Sequence, residues 1–249
     1  MEHPWRKAIV VGAGGGIGEQ IVLSLAQSGC NVALIGRNGE ALQRLAAAVN
    51  RADSRLAFPI VHDVRDVDAV PGAFAQAVEA LGGLDLIVYA AGVMPMIGPT
   101  EYDTNKDIEI IAVNFVGAVA WINLAAKRFE RAKEGTIVAI GSVSGDRGRK
   151  GNPVYGATKA ALENYLESLR NRLAPYGASV VTVKPGPVET GMTAPRGRLP
   201  GMISAQRAAA LILRAARRKN VTAYIPWRWW LVSKIIRLIP SPIFRRLTI

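Results

Sequence analysis

Cysteine and histidine are nearly absent from this chain of 249 residues, which contains one cysteine and two histidines. Cys30 has no second cysteine with which to form an intramolecular disulfide, as is typical of proteins in a reducing cytosol. His3 and His62 have no ligand or triad motif around them. The sequence therefore indicates neither a metal site nor a hydrolase triad, and we expect other side chains to carry the chemistry.

Acidic residues are absent after Glu189, although basic residues continue to the end of the sequence. Residues 190–249 contain as many basic residues as the whole net charge of +12, and residues 1–189 are electrically balanced. The twelve basic positions are Arg196, Arg198, Arg207, Arg214, Arg217, Arg218, Lys219, Arg228, Lys234, Arg237, Arg245 and Arg246. This excess predicts a surface that attracts anionic partners.

Long apolar runs are also scarce. The apolar stretch before the first glycines covers only residues 8–11, which is too short for a secretory signal, so we expect a cytoplasmic protein. The longest apolar window, 110–126, is interrupted by Asn114, Gly117 and Asn123. It predicts a buried helix rather than a membrane span.

Short runs rich in Val and Ile alternate with helical stretches along most of the sequence. Strands are predicted at 7–11, 31–35, 57–61, 84–89, 135–141, 178–184 and 221–225, and helices at 17–28, 40–50, 67–81, 106–131, 153–175 and 205–219. The alternation predicts an α/β fold with a Rossmann-like, doubly wound parallel sheet flanked by helices. We predict one domain, 1–225, followed by a basic, apolar C-terminal extension, 226–249.

A glycine-rich turn follows the first predicted strand and opens the first helix. Its glycines fit the pattern Gly-x-x-x-Gly-x-Gly through Gly12, Gly16 and Gly18. Backbone N–H groups and the helix dipole at such a place favour a pyrophosphate, although tight packing alone can also require glycines. The context predicts a dinucleotide site.

The second predicted strand ends at Gly36, Arg37 and Asn38, where an NAD-binding fold usually carries an acid that holds the ribose hydroxyls. Gly36 leaves room for a 2′-phosphate, and the Arg37 guanidinium can form a forked contact with it. The strand end therefore favours NADP(H).

Tyr155 and Lys159 lie four residues apart on a predicted helix, and Ser142 follows the fifth strand. One helical turn places the phenol and the ammonium group on the same face. A phenol has a reference pKa of about 10, and a nearby cation favours its ionised form. Beside a nicotinamide ring, Tyr155 could protonate a carbonyl oxygen while hydride reaches the carbon.

These motifs, in this order, resemble the classical short-chain dehydrogenase/reductase family from about residue 7 to residue 225. The resemblance implies catalysis by Tyr155 as acid/base, Ser142 as hydrogen-bond partner of the substrate oxygen, Lys159 as ribose ligand that lowers the tyrosine pKa, and Asn114 as holder of a proton-relaying water. It implies cofactor contacts from Gly12, Gly15, Gly16, Ile17, Gly18, Arg37, Asn38, Asp63, Val64, Ala91, Gly92, Tyr155, Lys159, Pro185, Gly186, Val188 and Thr190.

The sequence departs from the family pattern at three places. Val11 stands where the family usually has Thr, and Tyr89 and Ala90 replace the usual Asn-Asn. These changes remove polar supports of the turn and the sheet. Thr158 replaces the common Ser and keeps the hydroxyl.

The C-terminal extension combines a tryptophan cluster, 227–230, with aliphatic residues and cations. As a helix, Ser233, Lys234 and Arg237 form a narrow polar stripe among apolar neighbours. This composition suits binding at an anionic membrane surface, and the alternative is a tail that packs over the substrate cleft or a subunit contact. No nucleic-acid motif appears, so we expect no nucleic-acid partner.

Together, the motifs predict an NADP(H)-dependent oxidoreductase that interconverts a carbonyl and an alcohol, in the direction of reducing an apolar or lipid-like ketone or aldehyde. The alternative is a non-catalytic nucleotide-binding or membrane-docked regulatory protein on the same fold. We expect a homodimer or homotetramer. The residues predicted to flank the substrate are Val93, Met94, Pro95, Met96, Ile97, Met192, Pro195, Leu199, Pro200, Met202 and Ile203.

Overall fold

The computed structural model describes residues 3–50 and 56–247, and a single parallel sheet forms its centre. Seven strands pair in the order β3-β2-β1-β4-β5-β6-β9. Their bounds are β1 Lys7–Val11, β2 Asn31–Gly36, β3 Ala57–Val61, β4 Leu86–Tyr89, β5 Thr136–Ile140, β6 Ser179–Pro185 and β9 Thr222–Ile225. The strand order reverses between β1 and β4, which is where ligands bind in doubly wound sheets. The predicted fold is confirmed.

Helices cover both faces of this sheet, because its strands are apolar on both sides. One face packs against α1 Gly16–Gln27, α2 Gly39–Val49 and α7 Ala205–Arg217. The other packs against α3 Val70–Leu81, α5 Gly117–Ala132 and α6 Pro153–Leu173. Ser204 caps α7 by accepting a hydrogen bond from the Arg207 N–H at 3.2 Å.

The helix predicted at 106–131 extends from Thr104 to Ala132 and changes its winding along the way. It consists of α4 Thr104–Ile111, a π-helical segment Ala112–Val116, and α5. By length and composition alone it could span a membrane. Trp121, Ile122 and Phe129 of this helix are fully buried against the sheet, so the structure uses it as a core helix.

Some predicted boundaries are wrong. The helix predicted from residue 67 begins at Val70, because the Asp66 carboxylate accepts a hydrogen bond from the Ala69 N–H at 3.2 Å and holds a turn there. The helix predicted to residue 175 ends at Leu173 and continues as a 3-10 turn, Ala174–Tyr176. The sequence did not predict the small two-stranded sheet of β7 Val188–Glu189 and β8 Ile203–Ser204.

The C-terminal extension forms two short helices, α8 Arg228–Leu238 and α9 Ser241–Phe244. The side chains of Ser233 and Ile236 are buried against the body of the protein, whereas Lys234 and Arg237 are exposed. The predicted polar stripe is therefore divided between an inner and an outer face. Packing against the body of the protein explains the residues of the inner face of α8, but it does not explain the apolar and basic residues of the outer face.

Candidate active site

A cavity of about 910 Å³ opens at the carboxyl ends of the central strands. Every residue that the sequence predicts as catalytic or cofactor-binding lines this cavity except Gly18 and Asn114. Gly18 lies in the first turn of α1, and Asn114 lies in the π-helical segment. Within the described part of the chain, no group of three or more His, Cys, Asp and Glu residues could hold a metal ion.

The glycine-rich turn forms one end of the cavity, between β1 and the start of α1. The backbone N–H groups of Gly12 and Ala13 both donate to the Ile35 carbonyl, at 2.8 and 3.0 Å, and this anchors the turn to β2. Gly12 has a φ of 89°, and a Cβ atom there would lie 2.4 Å from the Ala91 nitrogen. This close approach leaves the amino end of α1 facing the cavity, a geometry that suits a pyrophosphate.

The end of β2 carries a free guanidinium group beside the cavity. Asn38 caps α2 by accepting a hydrogen bond from the Ala41 N–H at 3.0 Å. Arg37 is exposed and, among the described residues, forms no ion pair. The nearby Asp63 is instead bound by Arg65, whose Nε lies 3.0 Å from both carboxylate oxygens, and these hydrogen bonds lower the pKa of Asp63 to about 2.

Tyr155, Ser142 and Lys159 meet in the middle of the cavity. Tyr155 lies in the first turn of α6, and its side chain is only 9% exposed. Ser142 follows β5 and caps a 3-10 turn, accepting a hydrogen bond from the Ser144 N–H at 3.1 Å. The Lys159 ammonium group donates to the Ile140 carbonyl at 2.8 Å and lies 5.7 Å from the centre of the Tyr155 ring. The strand end and the helix start therefore bring these three groups together.

Burial controls the protonation of these groups. It raises the pKa of Tyr155, while the Ser142 hydroxyl and the Arg196 charge act in the opposite direction with less effect. It also lowers the pKa of Lys159 to about 8. Loss of hydration outweighs the neighbouring charges at Tyr155, and the role of Lys159 in lowering the tyrosine pKa stays a prediction. Tyr155 is therefore a protonated phenol at neutral pH.

Asn114 connects the π-helical segment to the loop after β4. Its Oδ1 accepts a hydrogen bond from the Val93 N–H at 2.8 Å, and its Nδ2 donates to the Val93 carbonyl at 3.0 Å. Nδ2 also lies 3.4 Å from the Thr158 hydroxyl of α6. Asn114 thus fixes the wall of the cavity, and its role in proton relay stays a prediction.

Tyr89 supplies a support that the sequence did not predict. The residue is buried, and its hydroxyl donates to the Val113 carbonyl at 2.6 Å. Val113 belongs to the π-helical segment, in which the regular helical hydrogen bonds are interrupted. Tyr89 therefore ties β4 to the segment that carries Asn114, at a position where the family usually has Asn.

A buried ionic cluster, which was not predicted from the sequence, lies beside the Ser142 turn. The Lys184 ammonium group is ion-paired with Asp146 and lies 2.7 Å from the Glu163 carboxylate. Burial opposes the charge of Lys184, but the hydrogen bonds to both carboxylates outweigh it and raise the pKa of Lys184. The Ser233 hydroxyl of α8 donates to Asp146 at 2.6 Å, which joins the C-terminal extension to this cluster.

The C-terminal extension also reaches the cavity directly. Trp229 lines the cavity, and a Cβ atom added to Gly186 would lie 2.1 Å from the Trp229 Nε1. Arg147 donates to the Ile239 carbonyl at 2.6 Å, and its guanidinium group stacks 3.8 Å from the centre of the Phe244 ring. Both contacts hold α8 and α9 against the Ser142 turn.

The apolar walls predicted for the substrate are only partly those of the structure. Val93, Met94, Met192 and Leu199 line the cavity, whereas Pro95, Met96, Ile97, Pro195, Pro200, Met202 and Ile203 do not. Ile203 is instead buried in the core as part of β8. The lining that the sequence missed includes Val143, Arg149, Asn152 and Trp229. No local pattern marks these residues, because they come from the β5–α6 loop and the C-terminal extension.

Comparison with known proteins identifies the family. The family model for short chain dehydrogenase matches residues 6–199. The chain belongs to the short-chain dehydrogenase/reductase family. An uncharacterized oxidoreductase of Myxococcus xanthus is 30% identical over 98% of this chain and 96% of its own length. An uncharacterized oxidoreductase of Staphylococcus aureus is 35% identical over 75% of this chain and 80% of its own.

A solved structure shares the arrangement as well. A short-chain type dehydrogenase/reductase from Mycobacterium marinum is 26% identical and superposes with a TM-score of 0.81, covering 90% of this chain and 93% of its own. The protein is thus an oxidoreductase of the short-chain dehydrogenase/reductase family, built on that family's fold.

Tyr89→Phe tests the support of the π-helical segment. The variant should lose about 1–3 kcal/mol of unfolding free energy, because the buried Val113 carbonyl loses its hydrogen-bond donor. Urea unfolding measures this loss. Tyr165→Phe is the matched control, since its hydroxyl bonds Asn123 at the exposed surface and should matter by less than about 0.5 kcal/mol. Equal losses in the two variants would contradict the role of Tyr89.

Proposed function

We propose that this protein is an NADP(H)-dependent oxidoreductase that interconverts a carbonyl and an alcohol, and that it mainly reduces an apolar or lipid-like ketone or aldehyde. The observation that carries this proposal is the meeting of Ser142, Tyr155 and Lys159 in the cavity that also contains the glycine-rich turn. The apolar side chains of Val93 and Met192 beside this centre support an apolar substrate.

The residues of the chain supply the proton chemistry. The bound dinucleotide supplies the hydride. The Tyr155 phenol, protonated at neutral pH, donates its proton to the carbonyl oxygen, and the Ser142 hydroxyl orients that oxygen by a hydrogen bond. Alcohol oxidation reverses the proton transfer. The buried Lys159 ammonium favours the tyrosinate that forms when the proton leaves, because the two groups lie one helical turn apart.

The preference for NADP(H) is argued from the end of β2. Arg37 lines the cavity, and Asp63, on which its charge acts, is already held by Arg65. The guanidinium group of Arg37 is therefore available for a 2′-phosphate, and no carboxylate of β2 competes for the ribose hydroxyls.

A non-catalytic nucleotide-binding protein is the weaker alternative. Lys159 is buried and donates to a backbone carbonyl rather than to a carboxylate, so its charge is costly to keep. A protein that only binds the nucleotide gains nothing from a buried phenol beside such a lysine. The energetic cost of keeping the Lys159 charge buried therefore supports a catalytic use of Tyr155 and Lys159.

Tyr155→Phe removes the transferable proton and keeps the ring. We expect NADPH-dependent reduction of octanal to fall by about 10²- to 10⁴-fold, the usual range for loss of a general acid, with little change in NADPH affinity. Steady-state kinetics and NADPH fluorescence titration measure the two quantities. Turnover close to that of the wild type would contradict the proposed mechanism.

Arg37→Ala removes the cation proposed for the 2′-phosphate. NADPH should bind about ten- to a hundredfold more weakly, because a charge-assisted hydrogen bond contributes about 1.5–3 kcal/mol, while NADH binding should stay nearly unchanged. Arg44→Ala is the control, since Arg44 is an exposed residue of α2 that pairs with Glu40. Equal weakening for NADPH and NADH would show that Arg37 does not select the cofactor.

We also propose that the protein is cytoplasmic and docks on an anionic membrane surface through the outer face of α8. This face exposes Trp230, Leu231, Ile235 and Leu238, of which Leu238 is 81% exposed. Arg228, Lys234 and Arg237 stand exposed around it. Apolar side chains that enter the interface and cations that meet anionic head groups are the two contributions that hold an interfacial helix.

The substitutions Trp230→Ser, Ile235→Ser and Leu238→Ser, made together, should abolish co-sedimentation with vesicles of phosphatidylglycerol and phosphatidylcholine. High salt should weaken binding of the intact protein without eliminating it, because screening leaves the apolar contribution. Val221→Ser, an exposed apolar position before β9, is the control. These outward-facing substitutions are preferable to removal of the extension, which would also disturb the Ser142 turn. Vesicle binding that survives the triple substitution would contradict this docking surface.

A homodimer or homotetramer is proposed from another exposed surface. Ile108, Ile111 and Val116 lie exposed along the continuous helix of α4, the π-helical segment and α5. A second copy of this chain would remove these aliphatic side chains from water. In a two-fold symmetric interface, the same helix of each subunit would contact its counterpart in the other.

A further inference from the structure

Three residues that line the cavity each have a buried polar atom with no hydrogen-bond partner within the described part of the chain. These atoms are the Arg149 Nε, the Asn152 Oδ1 and the Trp229 Nε1. An unsatisfied buried polar group costs about 1–3 kcal/mol, so native structures rarely leave several together without a reason. A ligand with polar atoms in this part of the cavity would supply the missing partners.

Two arginines bring positive charge to the cavity without forming ion pairs. Arg149 and Arg196 both line the cavity, and neither forms an ion pair with a described carboxylate. Burial lowers the pKa of Arg149, and the charge of Asp146 acts in the opposite direction with less effect. Asp63 is the one acidic residue among the described lining, and Arg65 already binds it.

The contacts of the two arginines with protein oxygens are weak. Arg149 Nη2 lies 3.4 Å from the Val143 carbonyl. The Arg196 guanidinium reaches the Met94, Pro95 and Met192 carbonyls only at 3.5 Å. Distances of 2.7–2.9 Å are usual where a guanidinium group meets a carboxylate. Both side chains therefore keep donors available for a stronger acceptor.

The positions of these groups point to the substrate rather than to the cofactor. Asn152 donates to the Pro95 carbonyl at 2.8 Å, and Arg196 approaches the same carbonyl, so both stand at the loop after β4. The charge of Arg196 acts on the Tyr155 phenol, which places it near the reacting centre. The cofactor phosphates have other candidates, the glycine-rich turn and Arg37.

We infer that the substrate is an apolar chain that carries an anionic oxygen group, such as a carboxylate, and that Arg149 and Arg196 bind this group while Asn152 and Trp229 complete its hydrogen bonds. This inference rests on the proposed function, because it names the substrate class of the same site. Guanidinium groups match carboxylates in shape as well as charge, and the Val93, Met94 and Leu199 side chains suit the apolar part.

Binding of octanoate and 1-octanol to the NADPH-loaded protein tests the inference, measured by isothermal titration calorimetry. The two probes share a chain length and differ in charge. Octanoate should bind at least ten times more tightly than 1-octanol and should compete with octanal in the reductase assay. Arg196→Met and, separately, Arg149→Met should weaken octanoate binding about ten- to a hundredfold and leave 1-octanol binding unchanged.

Arg198→Met is the matched control, because it removes an exposed cation two residues from Arg196 and outside the cavity lining. It should change neither probe. Unchanged NADPH affinity in the Arg149 and Arg196 variants shows that they remain folded and that the two arginines do not serve the cofactor. Equal binding of the two probes, absence of octanoate binding, loss of NADPH affinity, or an equal effect of Arg198→Met overturns the inference.

The outcome separates this inference from the proposed function. Reduction of octanal without arginine-dependent octanoate binding leaves the reductase standing and removes the anionic substrate. Arginine-dependent octanoate binding without NADPH-dependent reduction of octanal or of 8-oxooctanoate, an aldehyde that carries the carboxylate, removes the reductase and leaves the anion site.

Discussion

The buried ion pairs of Lys184 with Asp146 and Glu163 join the three segments from which the active site is built. Asp146 follows the Ser142 turn, Glu163 stands one helical turn after Lys159 on α6, and Lys184 is the residue before the last of β6. Burying such charges is favourable only when each has a partner, and removal of one partner typically costs about 3–5 kcal/mol. The relative positions of Ser142 and the Tyr155–Lys159 face therefore depend on this cluster.

The cavity combines apolar walls with two sets of positively charged or polar groups, one proposed for the cofactor and one proposed for the substrate. At the glycine-rich turn and the end of β2, the chain offers backbone N–H groups and Arg37. Near Tyr155 it offers Arg149 and Arg196, and no acid of the described lining neutralises them. Charges without partners in a partly buried cavity strengthen the interaction with an anion, because water screens them poorly there. Such an arrangement favours substrates that bring their own negative charge.

The sequence predicted the fold, and it predicted that Ser142, Tyr155 and Lys159 come together, because both depend on local patterns. Apolar strand runs separated by helical stretches determine the parallel sheet, and the spacing of Tyr155 and Lys159 fixes their common face. Most of the predicted catalytic and cofactor-binding residues line one cavity, because the strands that precede them end at the same edge of the sheet.

What the sequence could not predict depends on long-range packing. The bond from Tyr89 to the Val113 carbonyl joins residues 24 positions apart, and the bond from Ser233 to Asp146 spans 87. Neither has a periodic signal. The division of α8 into inner and outer faces follows from the position of Asp146, which composition does not reveal.

The contact between Ser233 and Asp146 also sets an order of assembly. Ribosomes make the chain from its amino end, so α8 is synthesised after every strand of the main sheet and after both catalytic segments. Until α8 arrives, Asp146 lacks one hydrogen-bond donor and Gly186 lacks its tryptophan neighbour. The Ser142 turn therefore takes part of its support from one of the last segments to be synthesised.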